Sequence, residues 1–180
     1  MILERIKTGL EGCFLLKPKI FADHRGSLTK LFHKPTFEEL GLTSEFSEEY
    51  FSISRKNVLR GLHFQLPPHD HYKIVTCLSG KIFDAVVDLR KSSPTYKQSY
   101  SIILDAEDPC MLYIPSGFAH GFIALKEGSI FLNKTNTVYH QASDAGIKWD
   151  SCGIDWPIIK PIVSIKDENL PKLSLFESPF

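Results

Sequence analysis

Two histidines in apolar, glycine-containing segments are the first candidates for chemistry. His63 lies in Arg60–Gln65, which reads RGLHFQ, and His120 lies in Ile114–Phe122, which reads IPSGFAHGF. The second segment contains the pattern PxGxxH, a turn that delivers a histidine onto the next strand. A lone histidine is more often structural than catalytic, but imidazole can accept or give a proton near neutral pH and can bind a metal ion.

A lysine and an aspartate strengthen this candidate site, because strand parity places them among apolar side chains. If Ser79 and Gly80 form a two-residue turn, the flanking strands pair and Val75 faces Asp84. Since side chains alternate along a strand, Lys73 and Asp84 then share one face with Val75, Cys77, Ile82 and Val86. A surface ion pair would contribute little to stability. We instead predict a Lys73–Asp84 ion pair inside the mouth of a barrel, where the two histidines would join it.

A metal centre is an alternative use of the same histidines. His69 and His71 form an HxH pair, and His120 could complete a site of three imidazoles. However, Val75 and Thr76 occupy the positions where metal-binding barrels with an HxH pair typically present a glutamate. We therefore predict that the protein holds no metal ion.

The elements that must position these residues are mostly short strands. Turn signals separate the apolar stretches at regular spacing, which favours an antiparallel barrel or sandwich. A short helix is predicted at Thr36–Leu40, with a capping box formed by Thr36 and Glu39 and with Gly41 at its end. Residues 1–180 are expected to form one domain, with the tail after Trp156 draped over the barrel. The predicted strands include Tyr72–Leu78, Lys81–Leu89, Tyr96–Leu104 and Ser129–Thr137.

Composition and charge narrow the classes of function. Of the 180 residues, 43% are hydrophobic and 12% are aromatic, as expected for a globular chain with a sizeable core. Lysine plus arginine and aspartate plus glutamate number 21 each, so no overall field favours nucleic acid or an anionic membrane as a partner. The four cysteines form no CxxC pair, which predicts reduced thiols in a cytoplasmic protein. The chain has no signal-peptide pattern, and no organic cofactor is predicted, since no glycine fingerprint for a dinucleotide occurs.

A series of motifs runs through nearly the whole chain: Phe21–Gly26 (FADHRG), Leu59–Gln65 (LRGLHFQ), Tyr72–Thr95, Ile114–Phe122, Gly146–Asp150 (GIKWD), Gly153–Pro157 (GIDWP) and Ser164–Asp167 (SIKD). Their order resembles the dTDP-4-keto-6-deoxyglucose (dTDP-4-dehydrorhamnose) 3,5-epimerases of deoxysugar biosynthesis. The resemblance implies an all-β cupin fold, a double-stranded β-helix or jelly-roll barrel with a short helix and an irregular C-terminal segment. It also implies a homodimer.

The resemblance assigns roles to individual residues. His63 matches the base that removes a proton beside the C4 ketone, Asp167 the carboxylate that orients it, and Lys73 the lysine near the C4 oxygen. A fixed ammonium can stabilise the enolate that proton removal leaves. Tyr139 matches an aromatic residue near the nucleotide, and Arg25 an arginine contributed by the neighbouring subunit. Arg60 and His120 match residues around the sugar and diphosphate. The predicted substrate-binding residues are Arg25, Lys30, Glu48, Arg60, Gln65, Asp84 and His120.

Three departures from the family's pattern change what is expected of the reaction. Asn133 stands where the family has the tyrosine that acts as acid opposite the base, and an amide cannot supply a proton at neutral pH. Tyr139, which has the same strand parity if the strand runs straight, or water would have to substitute. Lys30 replaces a glutamate near the base, while Glu48 and Tyr50 replace a glutamine and an asparagine. We therefore predict inversion at C3, at C5 or at both, with C3 alone favoured. A GDP-linked sugar is favoured over a dTDP-linked one, since lysine and carboxylate can bind guanine's edge.

The sequence thus predicts a cofactor-independent epimerase of a nucleotide-diphosphate-linked 4-keto hexose or heptose. Its predicted catalytic residues are His63, Asp167, Lys73, Asn133 and Tyr139. Other interpretations stay open: a 3,4-ketoisomerase of a nucleotide sugar, a non-catalytic sugar-binding cupin, and a metal-dependent dioxygenase or isomerase, which would lack its glutamate.

Overall fold

Alternation of apolar and polar side chains produces strands along most of the chain, and a computed structural model describes residues 2–180. The helices are short, α1 at Lys34–Glu39 and α2 at Ile165–Glu168. The strands are β1 Leu3–Lys7, β2 Phe14–Pro18, β3 Ile20–Asp23, β4 Gly26–Thr29, β5 Glu48–Ser54, β6 Leu59–Gln65, β7 Lys73–Ser79, β8 Lys81–Asp88, β9 Ser99–Asp105, β10 Met111–Ile114, β11 Phe118–Ala124, β12 Ser129–Thr135 and β13 Asp144–Gly146.

The strands form two facing sheets and a separate hairpin. The first sheet has the order β1-β2-β10-β7-β12-β5, and the second has the order β13-β6-β11-β8-β9. Strands β5 to β12 are divided between the sheets as in a jelly roll, and all their pairings are antiparallel. β3 and β4 form the separate two-stranded hairpin. The predicted cupin jelly roll with a short helix and an irregular C-terminal segment is confirmed.

The predicted hairpin around Ser79 and Gly80 is wrong. β7 pairs with β10 and β12 in the first sheet, whereas β8 pairs with β11 and β9 in the second. The chain crosses between the sheets at Gly80, whose φ is +78° and where an added Cβ would stand 2.5 Å from Ser129 Oγ. Parity still identified the interior, because both strands turn the same set of side chains into one core, including Val75, Cys77, Ile82 and Val86.

Helix α1 begins earlier than predicted. Its N-cap is His33, whose Nδ1 lies 2.9 Å from Thr36 Oγ1, so the predicted capping box of Thr36 and Glu39 is wrong. Pro35 lies in the first helical turn, where a missing N–H leaves no helical hydrogen bond unmade. Gly41, at a φ of +67°, follows the last turn and ends the helix as predicted. No helix in residues 2–180 combines the length and the apolar character of a membrane span.

Three clusters of buried residues stabilise the fold. The first fills the space between the sheets around Leu112, and the third packs Phe37 of α1 against the outer side of the first sheet. The second joins Leu62 of β6 to the C-terminal residues Leu173 and Phe180. The tail therefore packs on the barrel, as predicted, and this packing holds α2 close to β6.

Candidate active site

Two glycines bring the two histidines to one wall of the barrel. β6 and β11 are neighbours in the second sheet, and their register pairs His63 with His120. A Cβ on Gly61, whose φ is +129°, would stand 2.6 Å from Gly121 Cα, so only glycine permits this approach. The pairing becomes irregular between His120 and Phe122, and such bulges redirect side chains.

His63 forms a hydrogen-bonded pair with Asp167, the residue predicted to orient it. His63 Nε2 lies 2.7 Å from Asp167 Oδ1. The Asp167 N–H donates to Oγ of Ser164, the N-cap of α2, at 3.1 Å, and Asp167 Oδ2 accepts the Gly61 N–H at 3.2 Å. Burial alone would raise the pKa of Asp167, but the hydrogen bonds from His63 and Gly61 hold that pKa below its usual value. An ionised Asp167 favours the His63 tautomer with its proton on Nε2, which leaves the Nδ1 lone pair free.

The second histidine binds Asp84, so the predicted Lys73–Asp84 ion pair is wrong. His120 Nε2 lies 2.9 Å from Asp84 Oδ2, and both side chains are buried. Burial lowers the pKa of His120 and raises the pKa of Asp84, which favours the uncharged form of each. Lys73 instead donates from Nζ to the main-chain oxygen of His63 at 3.0 Å. Burial lowers the pKa of Lys73 to about 8, although the charge of Asp84 opposes this shift.

These side chains face a cavity of about 440 Å³, which is lined by strands of both sheets. A neighbouring cavity of about 220 Å³ shares four lining residues with it, Tyr50, His63, Lys73 and Lys166. In and beside the two cavities, three buried polar atoms have no hydrogen-bond partner among residues 2–180: Ser52 Oγ, His71 Nε2 and Asn133 Oδ1. Because unpaired buried polar groups are costly, these atoms mark positions where a polar ligand would bind.

Most residues predicted for the site line these cavities. The larger cavity is lined by Arg60, His63, Lys73, His120 and Asp167, and the smaller by Glu48, Gln65 and Tyr139 as well as by His63 and Lys73. Asp84 is fully buried behind His120, and Asn133 is buried on β12. The structure therefore brings together residues that lie far apart in the sequence.

Arg25 and Lys30 do not line either cavity of their own chain. Arg25 lies in the β3–β4 hairpin, where Nη2 donates to Asp23 Oδ2 at 2.6 Å. Lys30 follows β4 and is exposed. Within a single chain Lys30 does not lie near the base, because the hairpin forms its own small sheet apart from the barrel, and its predicted place near a base stays a prediction.

Tyr139 lies beyond the end of the strand that was expected to carry it. β12 ends at Thr135 rather than at Thr137, so the parity that grouped Tyr139 with Asn133 does not extend to it. The Tyr139 hydroxyl donates to Asp144 Oδ2 at 3.2 Å, and its N–H donates to Glu48 Oε2 at 2.7 Å. Tyr139 thus lines the smaller cavity from a position beyond the end of β12.

Sequence reasoning missed Tyr50 and Lys166 as residues of the cavity. Alternation along β5 places Tyr50 and Ser52 on one face, and a polar face of this kind is typical of a strand side that faces solvent. The apolar side chains of the other face, Phe51 and Ile53, are instead 63% and 60% exposed. The alternation along β5 could have identified these residues. Its polar side faces inward and its apolar side outward, because β5 lines a polar cavity.

The histidines of the HxH pair take different positions. His69 stacks on His140 with ring centroids 3.7 Å apart and lies 3.1 Å from Ser143 Oγ through Nδ1. His71 lines the smaller cavity, and burial lowers its pKa to about 3. Within residues 2–180, no three side chains of His, Cys, Asp or Glu are arranged to hold a metal ion.

Comparison with known proteins decides the family. A family model for dTDP-4-dehydrorhamnose 3,5-epimerase matches residues 7–174. The chain belongs to this family. Among curated members of the dTDP-4-dehydrorhamnose 3,5-epimerase family, the enzyme of Shigella flexneri is 43% identical over 167 residues, which cover 91% of this chain and 92% of that one. The predicted resemblance is confirmed, and the chain is an isomerase that epimerises a nucleotide-linked 4-keto sugar.

Solved structures agree with this assignment to the epimerase family. The 3,5-epimerase of Legionella pneumophila, in complex with dTDP-4-keto-L-rhamnose, superposes with a TM-score of 0.93 at 37% identity, covering 98% of this chain and 95% of that one. A 3′-monoepimerase of Streptomyces bikiniensis, in complex with dTDP-quinovose, has a TM-score of 0.89 at 28% identity, covering 94% and 87%.

Proposed function

We propose that the chain inverts C3 of a nucleotide-diphosphate-linked 4-keto sugar through an enolate, with His63 as base and without a cofactor. The observation that carries this proposal is the His63–Asp167 pair at 2.7 Å, next to Lys73, on the wall of a cavity lined by both sheets. His63 Nδ1 takes the proton on the carbon beside the ketone, and Asp167 stabilises the imidazolium that forms. The electron pair moves to the C4 oxygen.

Lys73 stabilises the charge that develops on that oxygen. Its Nζ is anchored on the main-chain oxygen of His63, so the ammonium keeps a fixed distance from the base. A preorganised donor of this kind contributes about 3–4 kcal/mol to transition-state stabilisation. Because Lys73 is buried, its charge acts in a medium that screens it less than water does.

The chain has no net charge, so no overall positive field attracts an anionic ligand. The diphosphate must therefore be held by cationic side chains close to the cavity. Arg60 and Lys166 line the larger cavity with Lys73. Arg60 Nε donates to Ser54 Oγ at 3.1 Å, which orients the guanidinium and leaves its terminal N–H groups for phosphate oxygens.

We propose that a second copy of the chain completes the site with Arg25. The β3–β4 hairpin carries Arg25 away from its own cavity, and the edge strand β5 presents the exposed side chains of Phe51 and Ile53, which suit an interface between subunits. The test mixes Arg25→Ala and His63→Asn proteins after subunit exchange. Recovery of activity would show that two chains share one site, and no recovery with confirmed exchange would contradict it.

Inversion at C3 alone is supported by Asn133, because an amide at the position of the family's acid cannot supply a proton at neutral pH. The test incubates the protein in D2O with a panel of nucleotide-linked 4-keto sugars and follows the products by mass spectrometry and NMR. One deuterium beside the ketone with inversion at C3 is expected. Inversion at both C3 and C5 would contradict the single position, and a ketone moved to C3 would identify a 3,4-ketoisomerase.

Within one chain, the proposed preference for GDP depends on Glu48, since Lys30 lies outside the cavities of its own chain. Glu48 Oε2 is bound to the Tyr139 N–H, which holds the carboxylate beside an aromatic ring on which a base can stack. A carboxylate can accept two N–H donors of guanine, whereas thymine offers one. Calorimetry with GDP, CDP and dTDP tests this preference, and tightest binding of dTDP would contradict it.

We also propose a cytoplasmic location. Cys13, Cys77, Cys110 and Cys152 are free thiols and buried. Burial raises the pKa of Cys13 to about 12 and that of Cys110 to about 11, so both stay protonated and unreactive, as suits a reducing compartment. Cell fractionation with an antibody to the protein tests the location.

A further inference from the structure

The wall opposite His63 carries a tyrosine on strand β5. In the first sheet, Asn133 of β12 faces Tyr50 of β5 on one side and Val75 of β7 on the other. Directly opposed residues of antiparallel strands project from the same side of the sheet. Since Val75 is fully buried in the core between the sheets, Asn133 and Tyr50 also point inward.

Tyr50 stands where the two cavities meet. It is one of the four residues that line both, together with His63, Lys73 and Lys166. His63 belongs to the second sheet and Tyr50 to the first, so a sugar ring at this junction has the imidazole on one side and the phenol on the other. Inversion of a carbon requires proton removal from one face and proton delivery to the other.

We propose that Tyr50 is the acid that protonates the sugar carbon on the face opposite His63, an inference that rests on the function proposed above. His63 takes the C3 proton, and the electron pair passes to the C4 oxygen. When the enolate collapses, C3 takes the Tyr50 hydroxyl proton from the other face and the C4 carbonyl re-forms. The imidazolium then gives a proton to solvent and the phenolate takes one from solvent, so the protein returns to its starting state.

Asn133 is the positioning residue for this acid. It faces Tyr50 in the register of β5 with β12, and its side-chain amide is a donor group that lowers the pKa of the Tyr50 hydroxyl. An amide N–H directed at the phenol oxygen stabilises the phenolate that proton transfer leaves. Burial of the hydroxyl raises the pKa of Tyr50 and Asn133 partly opposes this rise, so Tyr50 is protonated near neutral pH. Asn133 therefore does not act as the acid itself but positions Tyr50, the acid on the neighbouring strand.

Tyr139 fits this role less well. It lies past the end of β12, and its hydroxyl is bound to Asp144, whereas exposure does not separate the two residues, since Tyr139 is 58% and Tyr50 48% exposed. It lines the smaller cavity and, among the described residues, is not one of those around the larger cavity. Lys166, which does line both, is paired with Asp144 at 2.5 Å.

The test is Tyr50→Phe, which removes one hydroxyl, assayed in D2O for exchange and inversion separately. Inversion at C3 is expected to fall by about 10²–10⁴-fold. Exchange should persist, so that substrate of unchanged configuration gains deuterium at C3. Inversion at the wild-type rate would overturn the proposal, and so would loss of exchange together with inversion. The matched control is Tyr96→Phe, a phenol outside both cavities, in which both rates should be unchanged.

A second variant guards against a fold defect. Adding Asn133→Tyr to Tyr50→Phe returns a phenol to the paired position on β12, and it should restore inversion at least tenfold over Tyr50→Phe. Thermal unfolding and nucleotide binding of each variant are measured alongside. If His63→Asn still exchanges deuterium, the proposed function itself fails, whatever Tyr50 does. If His63→Asn stops exchange while Tyr50→Phe inverts normally, only the role of Tyr50 fails.

Discussion

The molecule contains two histidine–aspartate pairs, whose histidines lie on adjacent strands, and the pairs differ in how far they are open to a ligand. The His63–Asp167 distance is 2.7 Å and the His120–Asp84 distance is 2.9 Å. The His63 side chain is 33% exposed, whereas that of His120 is 6% exposed. Hydrogen bonds lower the pKa of Asp167, and burial raises the pKa of Asp84.

The difference shows that a histidine–aspartate pair is not a catalytic signature by itself. Asp167 accepts a main-chain N–H from Gly61 in addition to its bond with His63, so its charge is stabilised when the imidazole becomes protonated. Asp84 depends on His120, and burial disfavours charge on both. One pair can hold an extra proton during a reaction, while the other keeps the barrel wall in place.

The largest effect is expected for His63→Asn. The variant loses its proton acceptor but keeps a polar side chain of similar size, so exchange beside the ketone should fall by at least about 10²–10⁴-fold with the fold intact. Mass spectrometry in D2O measures the exchange. His33→Asn is the matched control, since asparagine is a good helix N-cap, and it should exchange normally. Exchange at the native rate in His63→Asn would remove the distinction between the two pairs.

Lys73 lies between the pairs, and Lys73→Met should have the next largest effect. Loss of the ammonium is expected to reduce kcat by about 10²–10³-fold. The variant should nevertheless be more stable near pH 7 by about 1–3 kcal/mol, because the folded protein no longer holds a buried ammonium. Urea unfolding and steady-state kinetics measure the two effects, and a destabilised Lys73→Met would contradict this account.

The stability of the wild type should depend on pH through Lys73, because its pKa is about 8 in the folded protein, below its usual value. Between the two values the unfolded chain binds more protons, so stability in the wild type should rise with pH there, and Lys73→Met should lack this rise. The activity of the wild type should fall above pH 8 as the ammonium is lost.

Asp167→Asn should reduce kcat by about 10²-fold, since it disturbs the tautomer and the stabilisation of the imidazolium while the base remains. Because the folded pKa of Asp167 is lowered, its contribution to stability is present above the unfolded pKa and is lost as pH falls through the folded value. Unfolding at pH 6 and at pH 3 should therefore differ less in the variant. An equal pH dependence in both proteins would contradict the ionised state assigned to Asp167.

The smallest effect is expected for Asp84→Asn. An amide can keep a hydrogen bond to His120, and burial raises the pKa of Asp84, so the substitution removes a carboxylate whose charge burial already disfavours. We expect kcat to change by less than about tenfold, a barrier change below about 1.4 kcal/mol. If this variant loses as much activity as Asp167→Asn, the buried pair takes part in the reaction and the contrast between the pairs is wrong.

Local patterns predicted the barrel and half of its site. Parity placed Lys73 and Asp84 in the interior, and the glycine-containing segments identified both histidines as members of the same site. The pairing of strands is not a local property of the sequence. Ser79 and Gly80 are compatible with a hairpin turn and equally with a crossing from one sheet to the other, so the sequence alone does not distinguish the two. This is why the Lys73–Asp84 pair was wrong.

The opposite wall could not be predicted for the same reason. Tyr50 and Asn133 meet only through the register of β5 with β12, which joins distant parts of the chain. The polar face of β5 also reads as a solvent face until the cavity it lines is known. The position of Lys30 depends on the β3–β4 hairpin, which forms a sheet separate from the barrel. Periodicity in the sequence does not show that this hairpin is separate.

The base and the carboxylate that orients it are separated by 104 positions along the chain. The segment that carries Asp167 is attached to the barrel edge by the Leu59 N–H on Ile162 O at 2.9 Å and by the Ile162 N–H on Asn57 O at 2.8 Å. During synthesis, every strand therefore leaves the ribosome before the orienting carboxylate does. In the finished protein, an opening confined to residues 162–168 would separate Asp167 from His63 and break none of the pairings between the barrel's strands, since a local segment can open without global unfolding.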